Sequence, residues 1–436
     1  MRRWIFLALL AGSLPAQDWD PGEKVANAIS EASGGRLTLT VEQRGRYEDR
    51  TGNNFKDSDI DTGLYRTRIG LAYVPVSWLK FSGMMQDSRA PWYGDNAPNT
   101  VRDPADLQEG YIELFPAAKT GFGMTAGRMM ITYGEGRLIG VPQWNNLART
   151  YDHARFYWRT RKARIEMLMV SPAKVRIGEF NRPELGDRVW GTYDSFPDLF
   201  RKSLLETYIL RHDQNAPGGF TGGSRAAGTN KLTVDTFGFR LAGPLAPNWA
   251  YSTEAAFQTG KVGAADLNAR AFFGLIARQW SIGSRTLDVT AEYKYASGTN
   301  NPADPARSGT FDQLYAANHD KFGHEDLFGW RNLHNLRSSA TFAVTKSFAI
   351  TLLYNNSWLA SAKDALYNGS GKVIAQSLAG TAGRHVGQES DLFGTYKFGH
   401  YTFGAGYGRF SAGDFIRNAT PGVSPTYLYI FHTYTL

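Results

Sequence analysis

The stretch Arg36-Leu-Thr-Leu-Thr-Val-Glu-Gln-Arg-Gly-Arg46 alternates two kinds of side chain. One parity holds Leu37, Leu39 and Val41, and the other holds Arg36, Thr38, Thr40, Glu42, Arg44 and Arg46. Successive side chains of an extended chain point to opposite faces, so this segment reads as a strand with one apolar face and one charged face. The same grammar recurs downstream. Tyr65, Ile69, Leu71 and Tyr73 oppose Arg66 and Arg68, and Phe156 and Trp158 oppose Arg155, Tyr157 and Arg159. Leu287, Val289, Ala291, Tyr293 and Tyr295 oppose Asp288, Thr290, Glu292 and Lys294. Phe348, Ile350, Leu352 and Tyr354 oppose Thr351, Asn355 and Ser357.

These segments run for about nine to eleven residues, the length a tilted strand needs to cross a bilayer. Aromatic residues gather at their ends, where girdles meet the two membrane interfaces. Segments of this kind start near 36, 63, 78, 107, 121, 153, 164, 204, 232, 249, 268, 285, 336, 348, 389, 401 and 427. The connections alternate between short (Val74–Ser77, Pro116–Thr120, Arg161–Ala163, Gly243–Asn248, Ser281–Ser284, Lys346-Ser347, Gly399-His400) and long (48–62, 88–106, 132–152, 297–335, 359–388, 411–426). Periplasmic turns and extracellular loops alternate in this way. The alternation fails between about 171 and 231, and the list of starts is odd in number. One unrecognised strand in that window cures both faults, and Val189-Trp-Gly-Thr-Tyr-Asp-Ser195 is the best candidate. The expected fold is all-β, a transmembrane antiparallel barrel of about 18 strands, with both ends on the turn side. The C-terminal run Tyr427-Leu-Tyr-Ile-Phe-His-Thr-Tyr-Thr-Leu436 ends on an amphipathic strand, with leucine at the last position.

Composition narrows the function classes. The chain has 436 residues and no cysteine, which excludes a disulfide framework, a thiolate nucleophile and a Cys-ligated metal site. Past the N-terminus no run approaches the roughly 18 apolar residues of a membrane helix. Met1 to Ala16 reads as a secretory signal: Arg2 and Arg3, an apolar stretch from Trp4 to Leu10, then Ser13-Leu-Pro-Ala16 as cleavage site. Its removal takes two arginines and no acid, so the net charge of +8 falls by two. Residues 17–35 then form a short arm and 36–436 a single barrel domain. That arm is far too short for the plug of an energy-coupled receptor.

At Gly127-Arg-Met-Met-Ile-Thr-Tyr-Gly-Glu-Gly-Arg-Leu-Ile-Gly140, Gln143-Trp-Asn-Asn146 and Arg149-Thr-Tyr-Asp152 the chain resembles the alginate-export family of outer-membrane proteins. A second block carries the same resemblance: Glu292-Tyr-Lys-Tyr-Ala-Ser-Gly298, Gly309-Thr-Phe-Asp312, His319, Gly323 and Asp326-Leu-Phe-Gly-Trp-Arg-Asn332. Weaker matches lie at Arg66–Leu71, Phe237–Gly243 and Glu254–Gly260, so the resemblance extends over roughly 36–436. It implies a monomeric eighteen-stranded barrel in the outer membrane of a Gram-negative-type cell, with an electropositive lumen that passes an anionic uronate polymer.

Strand parity supports a positive lumen independently. A charge facing lipid at mid-membrane costs about 2–4 kcal/mol, so the polar parity faces inward. It carries Arg44, Arg46, Arg66, Arg68, Lys80, Arg155, Arg159, Arg164, Arg240, Lys294 and Arg337 against Glu42, Glu113, Glu166, Glu254, Asp288 and Glu292. The loop blocks add Arg128, Arg137, Arg149 and Arg331 as anion contacts, with Asp152 tying an arginine in place. Glu113, Asp152, Glu254 and Glu292 are the expected pairing acids of a constriction. Such a lumen concentrates anions, and guanidiniums take carboxylates bidentately. Pairing between lumenal acids and bases is expected to cancel part of this charge. Gly134, Gly136 and Gly140 lack the Gly-Lys-Ser/Thr sequel of a phosphate loop and are read as letting the loop fold into the mouth.

His319, His324 and Asp326 form the one cluster with metal-ligand residue types, at a spacing that matches no strong metal motif. No cofactor and no nucleic-acid partner are expected. The expected partners are outer-membrane lipid, an anionic polysaccharide or small anion, and, for export, a periplasmic component that supplies energy. The alternatives are a general or organic-anion porin, a non-conducting structural barrel, and an outer-membrane enzyme, for which no nucleophile–base arrangement is visible.

Overall fold

The computed structural model describes residues 21–98, 100–115, 120–183, 186–200, 202–215, 231–319 and 321–436, so the signal segment lies outside the described residues. Eighteen long strands among them form a closed antiparallel barrel. The first wall comprises β1 (Leu37–Thr51), β2 (Ile60–Val76), β3 (Leu79–Arg89), β4 (Asp103–Leu114), β5 (Gly121–Met129) and β6 (Tyr151–Arg159). There follow β7 (Arg164–Lys174), β8 (Asp187–Phe200), β9 (Ser203–Gln214), β10 (Leu232–Ala246), β11 (Trp249–Val262) and β12 (Ala265–Ile282). The circuit ends with β13 (Arg285–Ala296), β14 (Leu333–Ala343), β15 (Phe348–Leu359), β16 (His385–Phe398), β17 (Tyr401–Ala412) and β18 (Thr426–Thr435). Each strand pairs with its sequence neighbours, and β1 closes on β18 with Glu42 opposite Thr435. Closure leaves no unpaired edge, the condition for a sheet to span lipid.

The missing strand is β8, which contains Val189–Ser195 and restores the alternation of turns and loops. One tight connection, 263–264, also stands on the loop side, with Gly263 at φ +60°. On the turn side, a helix, Pro21–Ala32, precedes β1.

Burial is inverted relative to a water-soluble sheet. On β2 the outward Ile69 and Leu71 are 52% and 49% exposed, while the inward Arg66 and Arg68 are each 3% exposed. Apolar side chains that face out and charges that face in are what a lipid solvent demands. The outward row of β12 shows the band in one strand: Phe272 and Ile276 are exposed between Arg270 and Arg278, with Trp280 beyond.

The inward face is buried because the long loops fill the upper lumen. Segment 130–150 leaves β5, crosses the barrel and returns to β6, and its Ile131, Leu138 and Ile139 join a core with Phe311, Tyr315, Phe328 and Trp330 of segment 297–332. A bridge joins Ile139 to Tyr315. Gly134 (φ +53°) and Gly136 (φ +70°) take left-handed turns there, and a Cβ on Gly140 would lie 2.7 Å from the Gly136 carbonyl oxygen. These glycines therefore permit the inward fold that their spacing suggested.

Candidate pore constriction

Four arginines on two adjacent strands define one side of the constriction. Arg44 and Arg66 are cross-strand partners on β1 and β2, Arg68 stands opposite Glu42, and Arg46 lies one inward position from Arg44. All four point at the turn Pro142–Asn145, whose backbone carbonyls face them. Arg44 donates to Gln143 O and Asn145 O (2.9 Å each), and Arg66 donates to the same two oxygens at 3.1 and 2.9 Å. Arg46 donates to Trp144 O and lies over the Trp144 ring at 4.1 Å. Arg68 donates to the side chains of Gln86 (2.7 Å) and Gln143 (3.1 Å). Asn146 pins the next residue of the segment: its amide donates to Tyr65 O, Arg89 O and Val101 O at 3.1, 3.2 and 2.8 Å.

Across the lumen, Glu135 receives Arg240 (3.0 Å), Arg137 (3.0 Å) and the Ser252 hydroxyl (2.6 Å), and Arg240 also reaches Glu206 (2.7 Å). Burial would raise Glu135, but Arg137, Ser252 and Arg240 outweigh it and hold the carboxyl below its usual range. Arg137 also stacks over Phe273 at 3.4 Å. Arg155 reaches Glu166 (3.8 Å) and Thr125 (2.9 Å), and Arg164 shares Glu166, which also accepts from Tyr133. Lys294 (2.7 Å) and Arg337 share Glu292. Glu113 meets Lys80 at 4.0 Å, Glu254 accepts from Tyr208 (3.0 Å), and Arg159 lies 5.0 Å over Tyr157.

Nine of the eleven bases assigned inward by parity thus have a carboxylate within 4.0 Å. The acids are shared, however. Glu42, Glu166 and Glu292 each serve two bases, so three carboxylates face six cations. The pairing is uneven: Arg240 has two carboxylates, Glu135 and Glu206, whereas Arg44 has only carbonyl acceptors among the described residues.

Two sequence assignments are corrected by register. Arg128 and Asp152 pair with each other at 2.7 and 3.0 Å, but they do so on the outward parity of β5 and β6, which they share with the exposed Phe122, Phe156 and Trp158. Nearness to the loop block suggests the lumen for Arg128, but strand parity decides which solvent a side chain meets. Arg149 and Arg331 belong to the loop framework. Arg149 donates to Gly140 O (3.3 Å), Tyr315 O (2.5 Å) and Ala316 O (3.2 Å), and Arg331 donates to Asp312 (3.0 Å).

A cavity of about 230 Å³ near the mouth is lined by Arg149, Asp187, His212, Asp312, Tyr315 and Arg331. His212 bridges Asp312 (2.7 Å) and Asp187 (3.1 Å). Burial would raise Asp312, but His212 and Arg331 hold it low. Sequence reading missed His212, Glu135, Asn146 and Trp144 as organising residues, although His212 and Glu206 share the inward parity of β9. His319 pairs with Asp326 (2.7 Å) and stacks on Trp144 at 4.7 Å, while His324 meets the Tyr429 hydroxyl (3.1 Å). Among the described residues no three His, Asp or Glu side chains are arranged to hold a metal ion.

A closed barrel with an apolar outer band, a charged inner face and loops folded into its lumen defines an outer-membrane channel. The family model for alginate export matches residues 42–429, and the chain belongs to that family. No curated protein matches it in sequence. Among solved structures the barrel is similar to the outer-membrane protein OpdK of Pseudomonas aeruginosa (9% identity, TM-score 0.61, covering 92% of this chain and 98% of that one). It is similar also to OpdO of that organism (10%, 0.61, 92% and 97%) and to its OccK8, also called OprE (9%, 0.58, 92% and 98%). At these identities the likeness is one of fold.

Proposed function

We propose that the channel is anion-selective and passes uronate-type oligo- or polysaccharides along its arginine-bearing walls. The observation that carries this reading is the wall of Arg44, Arg46, Arg66 and Arg68, where among the described residues four guanidiniums form ion pairs with two carboxylates, Glu42 and Glu48. The planar forks of these arginines accept carboxylates in several exchangeable registers. Membership in the alginate export family supports the same substrate class. The barrel acts as a monomer, and export requires a periplasmic partner because the chain carries no energy-input motif.

A second reading looks to the mouth cavity of about 230 Å³, where Arg149 and Arg331 would meet a small organic carboxylate beside Asp187 and Asp312, which His212 bridges. OpdK of P. aeruginosa has been crystallised with vanillate. Reversal potential in a salt gradient across a planar bilayer tests both. An anion preference with current block by oligouronate supports the first reading, and block by small aromatic carboxylates alone supports the second. Cation preference overturns both.

A further inference from the structure

Three consecutive backbone carbonyls, those of Gln143, Trp144 and Asn145, converge on three guanidiniums of one barrel wall and take five hydrogen bonds from them. The neighbouring Arg68 takes the Gln143 side-chain oxygen. These acceptors are neutral, and among the described residues the four guanidiniums form ion pairs with two carboxylates, Glu42 and Glu48. The turn itself is reachable, because Gln143 and Asn145 are exposed, whereas the flanking Ile139 (1% exposed) and Asn146 (0%) are anchored. A short accessible strap is therefore held at both ends and bonded in its middle to a cationic wall.

We propose that Arg44, Arg46, Arg66 and Arg68 form a carboxylate-binding site masked by the 143–145 carbonyls, and that an incoming polycarboxylate displaces the strap and widens the pore. The proposal rests on the anionic-permeant reading and adds that the permeant opens its own path. Its physical basis is a difference in bond strength. A guanidinium bonded to a carboxylate gains about twice what it gains from a neutral acceptor, and a ligand shifts a two-state element only by its differential affinity for the two states. Here the difference is built in, since the site offers the ligand contacts that the strap's neutral oxygens fill less strongly. Repeated carboxylates along one chain would meet arginines whose Cβ positions lie about 5 Å apart across the strands and about 7 Å apart along them.

The test uses the absence of native cysteine. Asn145→Cys, whose side chain makes no latch contact, is labelled with an environment-sensitive fluorophore in the full chain. Emission and bilayer current are then followed against a short oligogalacturonate, with an uncharged oligosaccharide of equal length as control. The expected result, with the oligogalacturonate only, is an emission change together with brief current blocks while the oligomer is in transit and a larger open-state current between them. Arg44→Gln removes one charged ligand contact and two strap bonds together, so it should weaken the emission midpoint severalfold, by the difference between the two. Arg44 is the preferred site because its removal strands no carboxylate, and heat-modifiable gel mobility checks that the barrel still folds. Current block without emission change overturns the strap but leaves the permeant reading standing. Emission change without any effect on current keeps the masked carboxylate site but overturns both the widening of the pore and the permeant reading. No response in either overturns both.

Discussion

Replacing Asn146 with alanine should release the strap while leaving the barrel intact. The Asn146 side chain is fully buried, and its amide donates to three main-chain carbonyls on separate segments: Tyr65 in β2, Arg89 at the end of β3 and Val101 in the loop beyond. At a net contribution of about 0.5–1.5 kcal/mol each, the three bonds together hold about 2–4 kcal/mol. Alanine removes at once the two N–H groups that serve all three carbonyls and leaves the carbonyls facing a small void. A loss of about 3 kcal/mol raises the open population of the segment by roughly a hundredfold. The rest of the barrel does not use these contacts, so the effect is local. The assay is amide hydrogen exchange of the detergent-solubilised full chain. Peptides covering 141–149 should exchange about a hundred times faster in the variant, while β9–β12 keep their protection. Unchanged protection across 141–149 in a folded variant would refute the reasoning, because it would mean that the arginine–carbonyl bonds alone hold the strap.

Two further outcomes follow from the site. Glu325 is pushed up to about 8 by burial and by Asp391, opposed by Arg50, with Glu389 packed against it as well. Its neutral form is the one the fold favours, so the associated stability is present in full below the ordinary carboxyl range near 4.5 and is lost as pH rises through about 8. The loop around 319–326 should loosen over that window in hydrogen exchange, and Glu325→Gln should flatten the dependence; an unaltered pH profile in the variant would contradict the assignment. Arg128→Gln, on the lipid side, should leave the reversal potential unchanged and cost about 1–3 kcal/mol by stranding Asp152, seen as a lower melting temperature, whereas a shift in ion selectivity would return Arg128 to the lumen.

Most of the barrel was legible in the alternation of side chains, because the spanning strands have one face in lipid and one face in water. Parity alone sorted Arg44, Arg66, Arg155, Arg240 and Lys294 inward, and the rhythm of turns located β8 from a mismatch. Arg128 follows the same rule, since it lies on the outward parity of β5 although its sequence neighbours belong to the loop block. What the lumenal charges do was not legible in this way. Parity says that Arg44 and Arg66 face inward, but only the return of residues 130–150 through the lumen gives them the carbonyls of Gln143 and Asn145. Glu135 became a partner of Arg240 by the same route, over 105 positions of sequence. Those contacts join a loop to a distant wall, and no local periodicity encodes them. The sequence by itself determined the solvent each strand face meets, since that depends on a repeat of two residues. The tertiary structure decided which charges remain available to a permeant, since that depends on where the long loops come to rest.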